Sequence, residues 1–366
     1  MRLPMLDTPF FRKYLLPGFV FQSIVIGGGY GTGRELVEYF LQFGPLGGLL
    51  GMILSTAIWS AVCLATFELA RRTASYDYRA FTRQLLRRWW FLYEICYLVM
   101  MLLGLAVIAA ASGSIVEAVF SLPYYAGVIG IMACVGFLVF KGTAVIEKSF
   151  AVWSFVLYAI YLVFLVWSLS QFFGGNPWPS LEIKPGWALS GVKYAGYNMV
   201  TIPALLFCIR HMERRREAFG AGILVGPIGM IPAFFFFLAM VTQYPAVVDQ
   251  TVPANFLLEV LGSTAFQVVF QVVLLGTLIE SGTGMIHAFN ERVAGVLAER
   301  RAVMPATLRP AVALLLLVAA ASLSPLGLEN LVAKGYGTAT WGVILCYVLP
   351  VLTIGVWKIW PRRDGG

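Results

Sequence analysis

A carboxyl group inside a long apolar stretch can do chemistry that a surface carboxyl cannot. Glu280 sits there, in Thr277-Leu278-Ile279-Glu280-Ser281-Gly282-Thr283-Gly284. In hydrocarbon an ionised carboxylate is costly unless it is paired, hydrated or protonated, so such a residue is a functional candidate by default. Burial favours the neutral acid, which suits a group that picks up and releases a proton. Ser281 and Thr283 add hydroxyl oxygens of the kind a hard cation such as sodium accepts. The competing reading is a static ion pair between Glu280 and Lys193 or Arg34. His287 and then Glu291 follow on one helical face and could pass a proton along it. Equally, His287 could be a packing residue and Glu291 the partner of Arg292 or of another helix.

The second unusual segment is Gly27-Gly28-Gly29-Tyr30-Gly31-Thr32-Gly33. Glycine in a helix interior costs about 1 kcal/mol relative to alanine, so this run opposes a continuous helix. A similar interruption follows Leu189, where Gly191, Gly196 and Asn198 precede Pro203. Within a membrane, unwound backbone survives only where it is buried or lines a cavity. Two interrupted segments at corresponding positions of two halves point to a transporter's midplane site. On this reading Gly28, Gly29, Tyr30, Gly31, Tyr197, Asn198 and Thr201 bind substrate, and Arg34, Glu35 and Lys193 are charge partners around them. The alternative is close helix packing, since Gly27/Gly31 and Gly29/Gly33 each fit G-x-x-x-G. Thr32-x-x-Glu35 matches a capping box in which Glu35 reaches back to the first amide of a new half-helix. A helix N-terminus already supplied with an anion suits a cationic or zwitterionic solute better than a lone anion. Arg34 and Glu38 are spaced to pair at i,i+4.

These residues need elements that hold them at membrane depth, and the composition supplies them. The 366 residues are 60% hydrophobic and 12% charged, with mean hydropathy +0.82. Soluble domains are about 45–50% apolar and about 25% charged, so a water-soluble fold and disorder are both excluded. A membrane-crossing helix needs roughly 20 apolar residues. Ten runs qualify: Leu16–Phe43, Gly47–Ala70, Trp90–Phe120, Tyr125–Phe140, Phe150–Phe172, Leu189–Ile209, Phe219–Val241, Thr264–Leu297, Ala311–Leu323 and Leu331–Trp360. Of the 26 basic residues, all except Arg34, Lys184, Lys193 and Lys334 fall in the segments that would share one side with both termini. That asymmetry predicts an even span count and cytoplasmic termini.

The net charge of +8 therefore sets topology and attracts anionic lipid headgroups, and it excludes a nucleic-acid-binding face. Met1–Ile26 lacks a small-residue cleavage site and reads as a retained first span. The five cysteines lie within apolar runs without C-x-x-C and read as reduced packing residues. Trp89, Trp90, Trp178, Trp187, Trp357 and Trp360 sit at span ends as interfacial anchors. No nucleophile–base constellation, structural metal motif or cofactor motif is present, so the chain does not read as an enzyme.

Gly27–Glu35 followed by Tyr39-Phe40, together with Glu280–Arg292, resembles the YkvI-like bacterial membrane proteins of the amino acid–polyamine–cation superfamily. The resemblance implies an all-α integral membrane protein with the LeuT fold, in which helices one and six are broken. Ten helices would form two inverted five-helix repeats, about 14–173 and 187–360, within one transporter domain spanning 1–366. It implies substrate between helices one and six, and in sodium-coupled relatives a cation between helices one and eight, where Ser281 and Thr283 fall. Glu280 beside them departs from that pattern and favours proton coupling. The expected activity is secondary active transport of an amino acid or amine across a bacterial cytoplasmic membrane by alternating access, coupled to protons or else sodium. The rival expectation is a transporter-like sensor or receptor subunit that binds a solute without moving it.

Overall fold

The computed structural model describes residues 8–141, 156, 159–170, 180–299, 305 and 307–359. Arg2, Lys148, Trp178, Arg300, Arg301, Trp360, Arg362 and Arg363 lie outside the described residues, as do the ends of the expected repeats and part of the fifth apolar run. All regular structure among the described residues is helical.

The first apolar run divides into α1 (Leu16–Val25), α2 (Gly28–Gly31) and α3 (Arg34–Tyr39). It is followed by α4 (Pro45–Thr73), α5 (Tyr78–Leu86), α6 (Trp90–Phe120), α7 (Tyr124–Lys141) and α8 (Ala159–Ser170). The sixth run divides into α9 (Trp187–Asn198) and α10 (Ile202–Cys208). Then come α11 (Arg215–Val241), α12 (Pro253–Val260), α13 (Thr264–Glu299), α14 (Leu308–Leu323) and α15 (Leu328–Ile359). Among the described residues six helices are long and apolar enough to cross a membrane, and the first and sixth runs are broken helices. Helix starts follow local chemistry. Pro45, Pro203 and Pro253 occupy first-turn positions, where a missing N–H is harmless, and Asp77 accepts from the amides of Arg79 and Ala80 at 3.0 Å.

The helices pack in two groups. In one, α1 and α4 pack against α11, and α4 also packs against α9. In the other, α6, α7, α13 and α14 pack against one another. Small and polar residues join the first group, because apolar burial gains little against lipid. A Cβ at Gly191 would lie 2.8 Å from the Gly51 carbonyl, so only glycine admits this approach of α9 to α4. Beside it Ser55 Oγ donates to the Gly191 carbonyl at 2.8 Å, and Trp59 Nε1 to that of Ala195 at 3.2 Å. Outward-facing Ile129, Phe137, Leu314, Leu315 and Val318 on α7 and α14 are exposed, as lipid-facing residues are.

The two ends of the bundle differ. At one, His211 Nε2 meets the Arg12 carbonyl at 2.9 Å, Lys13 pairs with Glu217 at 2.8 Å, Arg71 donates to the Glu213 carbonyl at 3.0 Å, and Lys358 donates to that of Gln84. The first described residues, the α4–α5 segment and the end of α15 therefore share this termini-side face. At the opposite face the Lys184 amide donates to the Phe43 carbonyl at 2.9 Å, and Thr251 donates to Glu329 at 3.0 Å.

Candidate functional site

The two interruptions lie side by side between the helix groups, and each solves its backbone problem locally. In the first, α1 stops at Ile26 and α2 makes one helical turn. Gly33 then adopts φ +81°, a left-handed conformation that side chains resist. The freed carbonyls are taken up in turn. Thr32 Oγ1 donates to that of Gly29 at 2.9 Å, Tyr161 Oη to that of Gly31 at 3.0 Å, and the Ala254 amide to that of Thr32 at 2.9 Å. The second interruption is milder than unwinding. Met199–Thr201 tighten into one 3₁₀ turn between α9 and α10, with Asn198 Nδ2 donating to the Tyr194 carbonyl and Thr201 Oγ1 to that of Asn198.

The capping box expected at Thr32–Glu35 does not form. Gly33, not Thr32, precedes α3, and the Glu35 side chain turns away from the backbone to accept a hydrogen bond from Tyr197 Oη. Glu35 is 4% exposed and lies over Gly29, where a Cβ would overlap its carboxyl. The glycine therefore makes room for a side chain of this protein. Around the pair stand other tyrosines. Tyr336 stacks on Tyr197 at 4.9 Å between ring centroids, and Tyr39 and Tyr194 lie 5.4 and 5.5 Å from it. Tyr39 Oη donates to the Val332 carbonyl at 3.1 Å, inside the π-helical stretch Leu331–Tyr336 of α15. The hydroxyls of Tyr30 and Tyr194 are buried without a hydrogen-bond partner.

Arg34 belongs to the opposite face. Its guanidinium pairs with Glu38 at 3.2 Å, as the i,i+4 spacing predicts, and with Glu329 at 3.6 Å. It also donates to the carbonyls of Val248 and Gln250 at 3.2 and 3.1 Å. One buried cation thus joins α3, the segment before α12, and α15, and it pairs with neither Glu35 nor Glu280 through any of these bonds. Lys193 is likewise turned elsewhere: its ammonium lies 6.0 Å over the Trp341 ring, and Thr340 donates to its carbonyl at 2.9 Å.

A cavity of about 440 Å³ lies beside the interruptions, lined by parts of the first and sixth runs, α6 and α13. Ser23, Ile24 and Ile26 of the first run line it, with Thr201, Pro203 and Ala204 of the sixth. Tyr97, Met100 and Met101 of α6 and Thr277, Glu280, Ser281 and Met285 of α13 complete it. Glu280 is the charged side chain among the described lining residues, set in hydroxyls and a larger apolar area. Of the residues expected to bind substrate, Thr201 lines this cavity, whereas Gly29, Tyr30, Gly31, Tyr197 and Asn198 are buried outside its lining.

Ser281 lines the cavity, but Thr283, two residues on, is fully buried with Oγ1 unpartnered. Positions i and i+2 of a helix face different directions, so this pair does not form a shared cation cage. His287 is not among the lining residues, and Glu291 pairs with Arg309 at 2.7 Å, so the expected Glu280–His287–Glu291 relay ends in an ion pair. Sequence reasoning missed Tyr97, Met100, Met101 and Tyr161, and gave Tyr39 no role at the site. Only the adjacent methionines, soft side chains of the kind that line adaptable pockets, carried a sequence signal.

Against known proteins, no family model matches. The chain is 21% identical over 290 residues to the membrane protein YkvI of Bacillus subtilis (strain 168), covering 75% of this chain and 79% of that one. Among solved structures it is similar to MhsT in complex with L-phenylalanine, at TM-score 0.59 and 15% identity over 96% of this chain and 97% of that chain. It is also similar to an Eremococcus coleocola manganese transporter, at TM-score 0.55 and 15% identity over 92% and 77%. At such low identity the structural likenesses establish the fold. In sequence the chain is YkvI-like, and it is an all-α membrane protein with the LeuT fold.

Proposed function

We propose that the protein is a secondary active transporter for a small amphipathic cation, an amine or an amino acid presenting its ammonium group. The observation that carries this reading is the contrast between the two faces. A cavity lined by the halves of the first and sixth runs that lead to the termini-side face adjoins the interruptions, while Arg34 bridges three elements at the other face. A cavity on one side of a region latched on the other fits one half of an alternating-access cycle. MhsT and the manganese transporter, both of this fold, support the transporter class.

The substrate class follows from the lining. A carboxylate with hydroxyls beside it holds an ammonium group, and Met100, Met101, Met285, Ile24 and Ile26 accept an apolar body. Glu280 is the group that meets the cation, and a proton is the favoured coupling ion because the hydroxyls expected to hold sodium diverge. The basic termini-side face lies in the cytoplasm and the whole bundle in the cytoplasmic membrane, with the two repeats meeting across the interruptions.

Thermal-shift measurements on detergent-purified protein with primary amines, amino acids and matched neutral alcohols test this reading. Amines or amino acids should stabilise the wild type, since a ligand that binds only the folded state raises its melting point. Stabilisation by the alcohols alone would contradict it.

A further inference from the structure

Glu35 is held unlike the other buried carboxyls among the described residues, Glu68 and Glu217. Glu68, fully buried, pairs with Arg71 and Arg72 at 2.9 and 2.7 Å, and Glu217 pairs with Lys13 at 2.8 Å. Glu35 is nearly as buried, yet among the described residues its carboxyl has no ion pair, and its hydrogen bond comes from Tyr197 Oη. Arg34, the adjacent cation, is occupied by Glu38, Glu329 and two carbonyls on the other side of the backbone. The titratable groups facing Glu35 are Tyr30 of α2, Tyr39 of its own helix, Tyr194 and Tyr197 of α9 and Tyr336 of α15, all neutral phenols.

A bare carboxylate taken from water into such a site loses several kcal/mol of solvation. One hydrogen bond to a charged group returns about 1.5–3 kcal/mol. The neutral acid fits better. Its carbonyl oxygen accepts from Tyr197, and neutrality removes the need for a counter-charge that the cluster does not supply; the buried hydroxyls of Tyr30 and Tyr194 do not bond to it. We infer that Glu35 is a proton-binding site of this protein, holding a carboxylic proton in the closed tyrosine cluster between the first and sixth runs and giving it up when that cluster opens.

The inference extends the transporter reading, on which its role in coupling rests: Glu280 meets the solute's cation in the cavity, and Glu35 carries the proton above it. Release leaves a carboxylate with no counter-charge in the present arrangement, so proton loss and opening of the cluster are linked. The bond that breaks is Glu35 O–H, the proton passes to water admitted by opening, and no other reactant is needed.

Infrared difference spectroscopy of the purified protein between about pH 5 and about pH 9 tests the site without any substrate. The wild type and Glu280→Gln should show a protonated-carboxyl C=O band that is lost at high pH, and Glu35→Gln should lack it. Tyr197→Phe, which keeps the packed ring, should move that band without removing it. Persistence of the band in Glu35→Gln, its absence from the wild type at the acid end, or an unmoved band in Tyr197→Phe would each overturn the inference. In proteoliposomes given radiolabelled phenethylamine, Glu35→Gln should lose acid-driven accumulation and keep exchange across the membrane. Failure of the wild type to take up the amine would count against the transporter reading, while the infrared result still decides whether Glu35 binds a proton.

Discussion

Arg34 reaches Glu329 at 3.6 Å, joining α3 to the first turn of α15 across the face opposite the termini. Glu329 is 46% exposed, so this ion pair is weak by itself. Exposed pairs contribute about 0–1 kcal/mol. The strength lies in Arg34, whose side chain is 10% exposed and which also holds Glu38 and the carbonyls of Val248 and Gln250.

The two partners should therefore behave differently on mutation. Glu329→Gln should leave the far face closed, changing the labelling rate of an Ala254→Cys reporter by less than about fivefold. Arg34→Ala strands several buried acceptors at a cost of about 2–5 kcal/mol, and should raise that rate at least about tenfold. Labelling with a membrane-impermeant maleimide in a background without the native cysteines measures both. Equal effects would show that the exposed pair, not the buried guanidinium, sets the closure.

Gly29 should tolerate no side chain, because the Glu35 carboxyl occupies the space a Cβ needs. Gly29→Ala should lower stability by about 1–3 kcal/mol, the usual range for overpacking. Gly27→Ala should fall within about 0.5 kcal/mol, since the nearest atom to its Cβ is the Val25 carbonyl oxygen at 4.0 Å. Melting in detergent separates the two. In the double variant Gly29→Ala/Glu35→Ala the cost should be less than the sum of its parts, which identifies Glu35 as the obstructing group.

Sodium should be dispensable. Ser281 faces the cavity and Thr283 is buried away from it, so the two hydroxyls do not converge on one ion. Replacing sodium by potassium should leave ligand-induced stabilisation unchanged, and Thr283→Val should bind ligand within about threefold of wild type. A sodium-dependent shift abolished by Thr283→Val would reinstate the cation site.

Much of this was legible in the sequence, for physical reasons that differ by element. The Gly27–Gly33 run announced a broken helix because so dense a set of glycines opposes a continuous one, and Gly33 does take the left-handed conformation. Glu280 stood out because a carboxyl in an apolar run is costly unless paired, hydrated or protonated, and it lines the cavity. The direction of Glu35 was not legible. T-x-x-E pointed to a local cap, but a tyrosine 162 residues away in sequence offered a bond that only the packed fold provides. Lys193 is similar, since its resting place over Trp341 depends on how α9 lies against α15. Local pattern reports what a residue needs, and the tertiary arrangement decides which partner supplies it.

Glu280 is where the proposed function is most exposed to test. A charge-assisted hydrogen bond is worth about 1.5–3 kcal/mol, and about 1.4 kcal/mol is tenfold in affinity, so Glu280→Gln should weaken amine binding about 10- to 100-fold. The same change should leave the fold intact, as judged by the melting temperature without ligand.

The most direct measurement is uptake of a radiolabelled amine and amino-acid panel into proteoliposomes under an acid-outside gradient, for the wild type and Glu280→Gln. The expected result is saturable accumulation of at least one cationic solute, collapsed by a protonophore and lost in the variant. Saturable binding with no accumulation under proton or sodium gradients would contradict transport and make the protein a solute sensor built on a transporter fold.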